Sequence, residues 1–66
     1  MSERFISWDD MIRCAKRELL MRKRLYPRWI AEERISQQKA EHEIACMAKI
    51  LEHLLQAAGR REENLL

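Results

Sequence analysis

The sequence predicts an all-α fold: a helical hairpin with a short elbow helix after Pro27, two copies of which pair into a four-helix bundle. Three observations predict it. The chain has one glycine and one proline in 66 residues, too few turn formers for a β protein, and its 47% hydrophobic content is too apolar for disorder. Two serines, Ser7 and Ser36, stand where helices should start. Ala40, Ile44, Met47, Leu51, Leu54 and Ala58 recur at alternating steps of four and three, the spacing of a coiled-coil seam. Residues 1–66 make a single small domain, with an ordered core expected at about 6–59 and a flexible tail at 60–66.

The first helix is expected near residues 7–25, beginning in "FISWDDMIRCAK". The Ser7 hydroxyl can accept from a free N–H of the first turn. Asp10 sits at the capping-box distance, and Ile6 and Met11 flank the cap as a hydrophobic staple. Asp9 and Asp10 place negative charge at the positive end of the helix dipole. Trp8, Ile12, Ala15, Leu19 and Tyr26 then form one apolar stripe, widened by Met11. Leu20, Met21 and Leu25 lie off it and suggest a second apolar contact.

The corner is "MRKRLYPRWIAEERISQQKAE", residues 21–41. Pro27 lacks an N–H and biases Tyr26 toward an extended conformation, so a break is expected at Tyr26–Pro27. Proline suits the first turn of a new helix, which makes "PRWIAEER" the elbow helix, anchored by Trp29 and Ile30. The structural corner is therefore Tyr26, Pro27 and Trp29. Ser36 caps the last helix, expected at 36–58, and Gly59 suits its left-handed C-terminal cap.

A chain this short buries little surface and commonly needs oligomerisation or exceptional helix packing. The apolar face of the last helix is wider than a seam, because Ile50 and Leu55 flank it. A homodimer is expected through Ile44, Met47, Ile50, Leu51, Leu54 and Leu55. In a monomer Ile50, Leu55, Leu20 and Met21 would stay partly wet, and the competing reading covers them with the elbow helix and the tail.

Charge is unevenly placed. Between Met11 and Arg28, seven basic residues face only Glu18, a local balance of +6, while the rest of the chain holds six basic and ten acidic residues. Arg17, Arg22, Lys23, Arg24 and Arg28 are the candidate binding residues, because arginine clasps phosphates and carboxylates in a bidentate fork. Cations near a helix end also complement its dipole, and Glu32, Glu33, Glu41 and Glu43 can neutralise them, which is the structural reading of the same charges.

Enzyme chemistry is not expected: there is no glycine-rich phosphate loop, no HExxH and no nucleophile beside a base, and both serines are explained as caps. No catalytic residues and no cofactor are therefore assigned. His42, Cys46 and His53 share a face of the last helix, but His53 is too far along the axis to join one ion with the other two. Metal is not expected. Cys14 and Cys46 do not make a disulfide framework and read as reduced thiols. The start "MSERFISWDD" is not a signal peptide and no apolar run spans a membrane, so a cytoplasmic location is expected.

The residues Arg22, Tyr26, Pro27, Trp29, Ile35, Ser36, Ala40, Ile44 and Met47 carry a resemblance. Together they resemble small phage- and prophage-encoded helical proteins with a basic helix end, a Tyr-Pro-x-Trp corner and a Ser/Thr-capped amphipathic helix. The resemblance covers a little over half of the chain and implies an origin in a host cytoplasm rather than an activity. That group often has glycine in the turn where this chain has Glu33. The expected function is a non-enzymatic interaction protein that binds a protein partner, as adaptor, assembly factor or inhibitor of a host machine. It would bind through the basic helix end and an exposed apolar helix face. The alternative is a small helical regulator that binds DNA or RNA.

Overall fold

The computed structural model describes residues 5–59. They form two α-helices, α1 (Trp8–Ala31) and α2 (Gln37–Ala57), packed against each other as a hairpin. The expected tail at 60–66 lies outside the described residues.

Both helix starts form as the sequence indicates. Ser7 Oγ accepts from the Asp10 backbone N–H at 3.0 Å, and the Asp10 carboxylate accepts from the Ser7 N–H at 3.1 Å, completing the capping box. Ser36 Oγ accepts from the Lys39 N–H at 3.0 Å. At the far end of α2, Gly59 takes a φ of +75° and donates to the Gln56 carbonyl, the left-handed cap expected there.

The elbow differs from expectation. There is no separate elbow helix and no break at Tyr26–Pro27. Pro27 lies inside α1, which runs on to Ala31. A proline inside a helix forfeits one backbone hydrogen bond, here the one to the Lys23 carbonyl, and crowds that carbonyl. Packing outweighs this loss. Tyr26 is buried, and Trp29, one turn further along, is half-buried with its ring centroid 5.5 Å from that of Tyr26. Both rings keep their place only if the helix continues.

The chain reverses over residues 32–36 instead. Glu33 has a φ of 61°, the left-handed conformation that glycine usually supplies. Around it, the Arg34 N–H donates to the Trp29 carbonyl at 2.8 Å and the Glu33 N–H to the Ile30 carbonyl at 3.0 Å. These two bonds define a Schellman motif. The side-chain contact that usually accompanies it is hydrophobic. Here the Arg34 guanidinium lies 4.9 Å from the centre of the Trp29 ring, a cation–π contact between the same two positions.

The core lies along one line between the helices. Ile12, Ala15 and Leu19 of α1 meet Leu51 and Leu55 of α2, and Ile44, Met47, Ala48, Leu54 and Ala58 pack around them. Leu19 and Leu51 are the fully buried large side chains. Tyr26 and Ala40 are buried nearer the turn. Trp8 falls on the same stripe by spacing but is 46% exposed. It stands one turn before Ile12 and, among the described residues, lies outside the core cluster.

Leu51 and Leu55 therefore close the hairpin itself. The coiled-coil spacing in α2 is matched by α1 of the same chain, and Leu55 is not free to form a second contact.

Candidate functional site

An α-helix turns about 100° per residue, so each position of α1 can be assigned to a side of the hairpin. The buried stripe Ile12–Ala15–Leu19–Tyr26 faces α2. Of the other surfaces, three bring together clusters of side chains.

The first is the outer face of α1, turned away from α2. Arg13, Arg17, Arg24 and Arg28 fall within an arc of about 60° on it. All four are exposed. Their local contacts are weak. Arg17 reaches Cys14 Sγ at 3.6 Å, and Arg28 approaches Glu32 at 3.8 Å while its side chain stays 71% exposed. Arg24 has no ion pair among the described residues. Leu20 and Met21, 53% and 40% exposed, flank the gap between Arg17 and Arg24.

The second surface is one flank of the hairpin. Helical spacing places Met11, Glu18, Met21, Arg22 and Leu25 of α1 beside Glu43, Met47, Ile50 and Leu54 of α2. A charged group sits in the middle of this flank. Arg22 Nη1 donates to Glu18 Oε1 at 2.7 Å and to the Glu18 carbonyl at 3.2 Å. The Glu18 hydrogen bond, with smaller contributions from Tyr26 and from Glu43 across the helix pair, raises the Arg22 pKa further above its ordinary range. Arg22 is thus engaged along its own helix by Glu18. Around it the flank is apolar: Met21 and Ile50 are 40% and 49% exposed, and Met11, Leu25, Met47 and Leu54 are half-buried.

The third is the outer face of α2, with His42, Cys46, Lys49 and His53. Cys46 Sγ lies 3.5 Å from His42 Nε2, and Lys49 pairs with Glu52 at 3.2 Å. Both cysteines are free and exposed. No group of three or more metal-ligating side chains comes together among the described residues.

The five candidate binding residues do not form one patch. Arg17, Arg24 and Arg28 share the outer face of α1, Lys23 is exposed toward the opposite flank, and Arg22 is held by Glu18. Arg13 joins the outer face, although the sequence reading placed the binding residues at the basic helix end. Its spacing to Arg17, Arg24 and Arg28 was the signal. For Arg13, Arg17 and Arg24 that spacing is readable without the proline, and only Arg28 needs α1 to continue through Pro27. Of the six residues assigned to a dimer seam, Leu51 and Leu55 are buried within the hairpin. Ile44, Met47 and Leu54 pack against that core, and Ile50 remains exposed.

No helix among the described residues is long and apolar enough to cross a membrane. Comparison with protein-family models, with curated proteins and with solved structures finds no match.

Proposed function

We propose that this chain is a non-enzymatic protein-binding module of the cytoplasm, which docks on helical partners through the apolar flank. Its first partner is a second copy of itself, forming a homodimeric four-helix bundle. The observation that carries this reading is the exposure of Met21 and Ile50 on a flank where Met11, Leu25, Met47 and Leu54 are only half-buried.

A helix buries its apolar surface against a neighbouring element, and stable domains stack such elements around a core. Two helices supply only one line of contact, and among the described residues just two large side chains, Leu19 and Leu51, are completely removed from water. A second hairpin laid on the flank would supply the missing layer. With a two-fold axis each copy presents the same patch to the other, so a single surface suffices. The Glu18–Arg22 pair is satisfied within each copy at 2.7 Å, so a second copy can cover the flank without leaving either charge unpaired.

The resemblance to phage and prophage proteins bears on origin alone; the role we propose with it is that of an adaptor, an assembly factor or an inhibitor of a host machine. The exposed cations Arg17, Lys23, Arg24 and Arg28 would speed encounter with an acidic partner, an effect on association rate more than on affinity.

Sedimentation of Ile50→Glu against the wild type tests the flank. Ile50 is half exposed, so its exposed part is worth about 1 kcal/mol per copy when covered. Two copies lose about 2 kcal/mol on substitution, which weakens the dimer roughly 30-fold. Unchanged association of a folded Ile50→Glu chain would remove the flank as the contact. A pull-down with and without nuclease then separates further protein partners from those bridged by nucleic acid.

A further inference from the structure

We propose that the outer face of α1 binds the sugar–phosphate backbone of a nucleic-acid duplex, through a ladder of Arg13, Arg17, Arg24 and Arg28. This face is distinct from the apolar flank, and the inference does not rest on the protein-binding reading.

The continuity of α1 makes the ladder. A break at Tyr26–Pro27 would turn Arg28 away from the other three. With Pro27 inside the helix, the four guanidinium groups follow one line with axial gaps of about 6, 10 and 6 Å, roughly 22 Å in all. A duplex carries a charge about every 1.7 Å of its axis, so this length spans about a dozen phosphates. A bare α-helix face also fits the major groove, which is about 12 Å wide. Here α2 lies behind α1 and leaves that face clear.

The local charge supports an anionic ligand. From Met11 to Ala31 the only carboxylate is Glu18, and it is turned onto the flank and bound to Arg22 at 2.7 Å. Among the described residues, carboxylates approach the ladder only at its ends. Asp10 is engaged in the cap with Ser7, and Glu32 divides between Arg28 at 3.8 Å and Arg34 at 3.6 Å. The guanidinium forks are left mainly to solvent, in the planar geometry that suits phosphate oxygens. Leu20, 53% exposed on the side of the ladder away from the flank, borders the longer gap, where it can rest against sugars and base edges. A membrane surface fits less well, because a helix lying on lipid must bury its own apolar face, and that face of α1 is already covered by α2.

The test is fluorescence anisotropy of labelled duplex DNA and duplex RNA with the intact chain, at about 50 and 200 mM salt. Anionic vesicles form a further arm. Four phosphate contacts per chain predict a loss of about 150-fold in duplex affinity across that salt range. Arg24→Gln, checked for unchanged helix content, should weaken binding at low salt and reduce the salt effect to about 40-fold. Four results would overturn the proposal: no duplex binding at low salt, equal binding by Arg24→Gln, a salt effect unchanged by that substitution, or binding to vesicles but not to duplex. Repeating the titration with Ile50→Glu keeps this outcome separate from the fate of the apolar flank.

Discussion

Replacing Glu33 with glycine should stabilise the hairpin. Glu33 sits at a φ of 61°, where a Cβ crowds the following carbonyl at a cost of roughly 1–2 kcal/mol. Glycine adopts this conformation without that cost. Against the gain stands the greater freedom of glycine in the unfolded chain, worth about 0.4–1 kcal/mol. The two hydrogen bonds of the turn run between backbone groups, at 2.8 and 3.0 Å, and survive the change. The Glu33 carboxylate makes no ion pair among the described residues, so little else is lost. The net gain is about 0.8 kcal/mol. For a chain of this size that raises Tm by about 3–6 °C. Thermal melting followed by far-UV circular dichroism reads this directly, at one fixed protein concentration because self-association also shifts Tm. Glu33→Val should move Tm the other way, since a branched Cβ tolerates positive φ poorly. A glycine variant melting at or below the wild type would refute the argument that this turn is strained.

Three further outcomes follow from the same geometry. Pro27→Ala restores a helical hydrogen bond to the Lys23 carbonyl and should raise stability by about 1–3 kcal/mol, visible as a higher denaturation midpoint; a lower midpoint would mean that the proline itself sets the corner. Leu55→Glu puts a charge into the hairpin core and should abolish most helical signal at every protein concentration, whereas Ile50→Glu should keep it; equal loss in both would contradict the different burial of the two residues. The Asp10 carboxyl is held below its ordinary range, first by the Ser7 backbone N–H and then by the Ser7 hydroxyl, with Arg13 adding to it. A depressed folded pKa gives stability that is present above the ordinary Asp range and lost as pH falls through the folded value. Asp10→Asn should therefore be less stable than wild type at neutral pH, with the gap closing below about pH 4; a gap independent of pH would exclude the carboxylate as its source.

The parts of this fold that rest on local chemistry were legible in the sequence. Ser7 with Asp10, Ser36, and Gly59 each announce a helix end through a hydrogen bond or a backbone angle that few residues supply. The corner was not legible, because proline is a local signal for a stop and the burial of Tyr26 beside Trp29 is a tertiary one. The true turn was hidden for the opposite reason: its left-handed residue is a glutamate, and the cation–π contact of Arg34 with Trp29 has no simple sequence signature. The seam of α2 was correctly periodic, but periodicity does not say which chain lies opposite, and α1 fills that place. The same limit affected the arginines. Arg13 and Arg28 are fifteen residues apart and share a face only in a helix that ignores its proline.

Sedimentation equilibrium of the purified chain, from low to high micromolar concentration, tests the central claim most directly, with Ile50→Glu run beside it. The apolar flank predicts a wild-type chain that shifts to dimer with concentration, and a variant that keeps its helix content but dissociates at concentrations about 30-fold higher. A wild-type chain that stays a well-folded monomer throughout that range would contradict the account, because the hairpin would then be stable with its flank left in water.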